Sequence, residues 1–102
     1  SGGLMQTIAV YNAITATDIT NGLRIAGTGT IDVDGKVGNI GGVAQKVIAA
    51  QFYRADVFFV PVGNYEEALE MYERLPKTPH FALVAVETFA DAIAYLLEME
   101  VA

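Results

Sequence analysis

The chain has no cysteine, no tryptophan and a single histidine, His80. Without cysteine there is no disulfide framework, no thiolate nucleophile and no cysteine-type zinc site. One histidine leaves no cluster for a metal, so neither a metal site nor a cofactor is expected. Basic residues are scarce. Six Lys and Arg stand against twelve Asp and Glu, for a net charge of −6. That balance excludes phosphate-driven binding of nucleic acid. Charge of either sign is thin, at 18% of 102 residues, against about one quarter in ordinary domains. Long apolar runs are also missing. The uncharged opening Ser1–Thr17 contains Gln6, Asn12 and three threonines. It falls short of the roughly 20 apolar residues a membrane span needs and lacks the basic start of a signal peptide. No membrane contact is expected from this segment itself.

Apolar residues, by contrast, are in excess, at 53% before the ten glycines are counted. Ordinary domains hold about 45–50% with glycine included, and small domains bury the smallest share of their surface. Disorder is excluded at this hydrophobicity. The excess predicts that part of the surface is covered by something outside the 102 residues, which are then expected to fold poorly alone. The opening on Ser1 rather than methionine fits a chain that has been cut or trimmed.

Periodicity predicts an α/β arrangement. Leu4, Ile8, Tyr11 and Ile14 recur at helical spacing over Gly2–Thr15, with Ser1 placed as an N-cap. Thr17–Gly22 reads as a polar turn. Leu23–Ile31 alternates as one strand, with Arg24, Ala26, Thr28 and Thr30 on its polar face. Gly27 and Gly29 on the other face signal a bulge or a close backbone approach. Asp34-Gly35 marks a hairpin turn between Ile31/Val33 and Val37. The loop Gly38–Gly42 feeds a helix over Val43–Arg54 with the stripe Val43, Val47, Ala50. Val57–Val60 and Phe81–Val86 are continuous apolar strands, which suggests parallel pairing. Asn64 with Glu67, and Thr88 with Asp91, resemble capping boxes opening the helices after them. The fold class expected is therefore α/β (α+β): an antiparallel hairpin followed by a βαβα unit, in one domain over residues 1–102.

Few chemistries survive this arrangement. Gly27-Thr28-Gly29-Thr30 and the Gly38–Gly42 loop match neither nucleotide-binding glycine pattern. Asp32 and Asp34 flank a hairpin turn, where acids are usually solvated, and His80 sits at the edge of a strand. Lys46 falls inside the apolar stripe of its helix, beside the small residues Gly42 and Ala50. One reading is a snorkelling lysine whose stem lies on the apolar face. The other is a partly buried amine, whose charged form burial disfavours. A neutral lysine can take the proton of a serine, and Ser1 opens a helix whose N-terminus favours developing negative charge.

The runs Gly22–Ile31, Asp34–Gly38, Ile40–Val43 and Lys46–Ala50, with the opening Ser1-Gly2-Gly3-Leu4-Met5, closely resemble the proteolytic domain of Lon-type Ser–Lys proteases. The likeness is nearest to the ATP-independent branch, in which a membrane-anchored chain carries a PDZ domain ahead of the Lon-like domain. It covers nearly the whole chain, and Gly-Gly-x-x-x-Lys-x-x-Ala-Ala is its most specific part. The resemblance implies Ser1 as nucleophile, Lys46 as general base and Thr28 as a threonine that contacts the lysine amine. It implies a serine peptidase acting on peptide or unfolded protein, needing no ATP in this chain and placed outside the cytoplasm. It also implies that these residues are the C-terminal part of the domain. The upstream half of the domain is then a partner, and homo-oligomers are common in the family. The alternatives are a terminal-nucleophile hydrolase using the α-amine of Ser1, an inactive Lon-like fold kept for assembly or peptide binding, and a structural domain in which Ser1 has no role.

Overall fold

The computed structural model describes residues 1–101, and the side chains of residues 1–99. The chain runs α1 (Gly3–Ile14), β1 (Ile25–Gly27), β2 (Thr30–Ile31), β3 (Val37–Gly38), α2 (Val43–Tyr53), β4 (Val57–Pro61), α3 (Tyr65–Arg74), β5 (Ala82–Val86) and α4 (Phe89–Val101). A short 3-10 turn, Val62–Asn64, joins β4 to α3. Strands β1, β4 and β5 form a parallel sheet in the order β1-β4-β5, while β2 and β3 form a separate antiparallel pair. The expected α/β class, the front hairpin and the parallel pairing of the two apolar strands all hold.

The central strand is apolar at every position. Every residue of β4 is buried, because helices cover both faces of the sheet. Val57 and Phe59 point into a core with Leu4 and Ile8 of α1, and Ile93 and Leu96 of α4. Phe58 and Val60 point the opposite way, into a core with Val43, Val47 and Ala50 of α2 and Ala68 of α3. A strand covered on both faces cannot alternate polar with apolar residues. Each large side chain fully buried there contributes about 1.5–3 kcal/mol. Edge-to-face ring pairs add geometry to both cores: Phe59 with Tyr95 at 5.8 Å, and Phe58 with Phe81 at 6.1 Å.

Four local expectations are corrected. The strand predicted over Leu23–Ile31 is two strands in two sheets, broken at Thr28 and Gly29. Gly29 has φ +141°, and a Cβ there would lie 2.6 Å from Val37 Cγ1, so the chain turns out of the parallel sheet where only glycine fits. Val33 lies in the hairpin turn and is fully exposed, so the antiparallel pairing is only Thr30 with Gly38 and Ile31 with Val37. Within the polar turn after α1, Ile19 is a core residue at 3% exposure. Its N–H is held by Asn12 Oδ1 at 2.8 Å.

The fourth correction separates the two proposed capping boxes. Thr88 and Asp91 form one: Asp91 N–H donates to Thr88 Oγ1 at 3.1 Å, and Asp91 Oδ2 accepts from Thr88 N–H at 3.0 Å. Asn64 forms none. No side-chain bond caps α3. The Asn64 amide turns instead to Ile40, accepting from its N–H and donating to its C=O, both at 2.9 Å. The partly buried peptide groups of Ile40 take the amide, and the acidic first turn, Glu66 and Glu67, favours the positive end of the uncapped helix.

Candidate active site

Ser1 stands exposed at the mouth of α1. The N-cap position falls on Gly2 and carries no side-chain cap bond, so Ser1 does not cap its helix. Its backbone is nevertheless fixed. Ser1 C=O accepts from Gly29 N–H at 2.9 Å, and Leu4 N–H donates to Gly29 C=O at 3.0 Å. The start of α1 is thereby laced to the break between β1 and β2 as one strand to another. Close approach makes this possible. A Cβ on Gly27 would meet Met5 Sδ at 2.9 Å and Phe59 C=O at 3.1 Å.

Thr28 is 2% exposed. Its N–H continues the parallel ladder by donating to Phe59 C=O at 3.0 Å. Strand alternation puts Thr28 on the same side as Ala26, which packs against the α2 core. The face that alternation marked as polar is therefore the one α2 covers. The Thr28 hydroxyl lies 3.5 Å from the Ser1 carbonyl oxygen. That carbonyl, rather than the Lys46 amine, is its hydrogen-bond partner.

Lys46 lies one turn into α2 and is half-buried, while Val43, Val47 and Ala50 around it are fully buried. It lines an open depression of about 240 Å³ with Ala49 and Tyr53 of α2, Ala26 and Gly27 of β1, and Phe58. At the far end Tyr53 is held in place. Arg24 stacks over its ring at 5.2 Å and donates from Nη1 to its C=O at 2.9 Å. The single ion pair among the described residues is the exposed Arg74–Glu70. No cluster of metal-ligating side chains occurs among the described residues, and His80, Asp32 and Asp34 are all exposed.

Thus Ser1 and Thr28 are in contact, while Lys46 shares its depression with Ala26 and Gly27 of β1, a depression that neither Ser1 nor Thr28 lines. The arrangement offers a hydroxyl at a helix mouth, an amine on an apolar wall, and a depression beside the amine. Sequence reasoning missed Asn64 as part of this setting. Its partner Ile40 lies 24 positions upstream, and no local spacing reveals such a pair.

Residues 1–99 match the family described as Lon protease C-terminal proteolytic domain. The chain is 40% identical over 75 residues to a Lon protease of Campylobacter jejuni, an alignment covering 72% of the chain and 9% of that protein. It is 32% identical over 98 residues to a Lon protease of Metamycoplasma arthritidis, covering 96% and 11%. It is 29% identical over 97 residues to Lon protease 2 of Bacillus subtilis, covering 95% and 16%. The chain thus spans only a small fraction of the length of the curated relatives it matches.

Proposed function

The chain belongs to the Lon protease C-terminal proteolytic domain family, and from that premise we propose that it carries a Ser1–Lys46 dyad that hydrolyses peptide bonds. Lys46 Nζ, unprotonated, accepts the proton of Ser1 Oγ as the oxygen attacks the scissile carbonyl carbon. Backbone N–H groups at the start of α1 hold the resulting oxyanion. The C–N bond then breaks, and the ammonium returns its proton to the leaving amine. Water hydrolyses the remaining serine ester with Lys46 again as base. Thr28 is the residue that relates the two: its backbone belongs to the β1 ladder under α2, and its hydroxyl meets the Ser1 carbonyl. No step draws on a nucleotide. The substrates that fit are peptide segments and unfolded protein. The natural setting proposed is that of a PDZ-carrying, membrane-anchored relative, with the upstream half of the domain and neighbouring subunits completing the groove.

The observation that carries this reading is the lacing of Ser1 to Gly29, just beyond β1, while Lys46 lines a depression with Ala26 and Gly27 of β1. Lys46→Ala in the full-length protein should abolish hydrolysis of an unstructured peptide while leaving the thermal midpoint nearly unchanged. Retained hydrolysis sinks the dyad. Treatment with a serine-reactive phosphonate should give an adduct on Ser1. Its absence would leave the inactive, peptide-binding form of the fold as the better reading.

A further inference from the structure

We infer that Asn64 is a positioning residue for Lys46, one that sets where α2 lies over β1 by holding the loop in front of that helix. The inference rests on the dyad reading above. Asn64 is 9% exposed. Its Oδ1 accepts from Ile40 N–H and its Nδ2 donates to Ile40 C=O, both at 2.9 Å. One side chain therefore satisfies both backbone groups of a single residue, as a neighbouring strand would.

The two ends of this clamp matter. On one side, Ile40 precedes Gly41 and Gly42, and Gly42 is the N-cap of α2 in a left-handed conformation at φ +69°. No side chain caps that helix, and paired glycines give the backbone little stiffness of its own. Ile40 therefore sets where the chain enters α2, whose body is held by the burial of Val43, Val47 and Ala50. On the other side, Asn64 sits just beyond β4, whose residues are all buried and pair with both β1 and β5. Phe59 of β4 also accepts the Thr28 N–H. The clamp thus ties the loop before the lysine helix to the end of β4, the strand whose Phe59 holds Thr28 next to the seat of Ser1 at Gly29. The approach is close enough that a Cβ on Gly63 would collide with the Asn39 side chain.

Only a carboxamide makes both bonds. An apolar residue leaves two partly buried backbone groups unpaired. An aspartate keeps the bond from Ile40 N–H and sets a carboxylate oxygen against Ile40 C=O. A merely structural Asn64 and a positioning one differ in what they move: the first lowers the melting temperature, the second lowers kcat while leaving KM nearly unchanged.

The test compares Asn64→Ala, Asn64→Asp and Lys46→Ala in the full-length protein, with a fluorogenic unstructured peptide as substrate. Asn64→Ala should lower kcat by at least about tenfold with KM nearly unchanged. Asn64→Asp should fall between it and the parent. A folded Asn64→Ala with the parent's kcat overturns the inference. Should Asn64→Ala fail to fold, a folded Asn64→Asp with parental kcat overturns it equally, and failure of both to fold makes Asn64 a structural strut and nothing more. Lys46→Ala separates the two proposals. If it is inactive while Asn64→Ala is normal, only the positioning role falls. If it is active, the dyad itself falls.

Discussion

Helices α1 and α2 begin on glycines, whereas α4 begins on a side-chain cap. Gly2 and Gly42 carry no cap bond, and neither helix has an acid in its first turn. At α4, Asp91 accepts from the N–H groups of Glu87 and Thr88, while Thr88 accepts from Asp91 N–H. Local capping satisfies a helix end cheaply and neutralises the positive end of its dipole. The two helices that bring Ser1 and Lys46 forgo it. They are anchored instead by distant backbone contacts, α1 through Gly29 and α2 through the Asn64 clamp on Ile40. A helix start kept clear of carboxylate retains its attraction for an oxyanion.

The largest break in this contrast should come from Gly29→Ala. Its φ of +141° and the nearby Val37 methyl group predict a loss of about 2 kcal/mol in denaturant unfolding. Peptide hydrolysis should fall with it as Ser1 loses its seat. A thermally neutral Gly29→Ala would show that the lacing at Ser1 is not under steric control. Next in size is Gly2→Asp, which gives α1 the acid that α4 already has. There is room for it, since a Cβ on Gly2 meets nothing nearer than Gln6 Nε2 at 3.7 Å. Stability should hold or rise by a few tenths of a kcal/mol, while kcat/KM should drop at least about tenfold as the carboxylate opposes the oxyanion. Unchanged kinetics would remove the functional meaning of the uncapped start.

Asp91→Ala is the converse. It should cost about 1 kcal/mol of stability and leave peptide hydrolysis untouched. The smallest effect is its pH dependence. Hydrogen bonds from the N–H groups of Glu87 and Thr88 hold the Asp91 carboxyl below its ordinary value. The stability it lends is thus fully present above about pH 4 and fades as pH falls through the lowered value. Because the group is exposed to solvent, that contribution is small. Acid titration of unfolding should therefore narrow the difference between parent and Asp91→Ala slightly at low pH, and a constant difference would contradict the assignment.

Much of the fold was legible in the chain, for particular reasons. Continuous apolar runs at Val57–Val60 and Phe81–Val86 announced strands packed on both faces, and Thr88 with Asp91 announced a helix start. Each rests on contacts within a few residues or on burial alone. Asn64 with Glu67 carried a similar local signature and proved to be something else, because a partner 24 residues upstream took the amide. Thr28 likewise read as the polar face of a strand and is buried, because alternation marks two sides without saying which one a helix will cover. The candidate site was visible only as a serine, a lysine and a threonine in familiar segments.

The sequence by itself determined the element order, the parallel pairing of the apolar strands, the Asp34-Gly35 hairpin and the α4 cap. These follow from periodicity and from contacts between near neighbours. Only the tertiary structure decided that the strand predicted over Leu23–Ile31 divides at Gly29. It alone seated Ser1 on that break and turned Asn64 toward Ile40. Those outcomes depend on groups far apart in the chain competing for the same donors, acceptors and space, and that competition exists only once the sheet has closed.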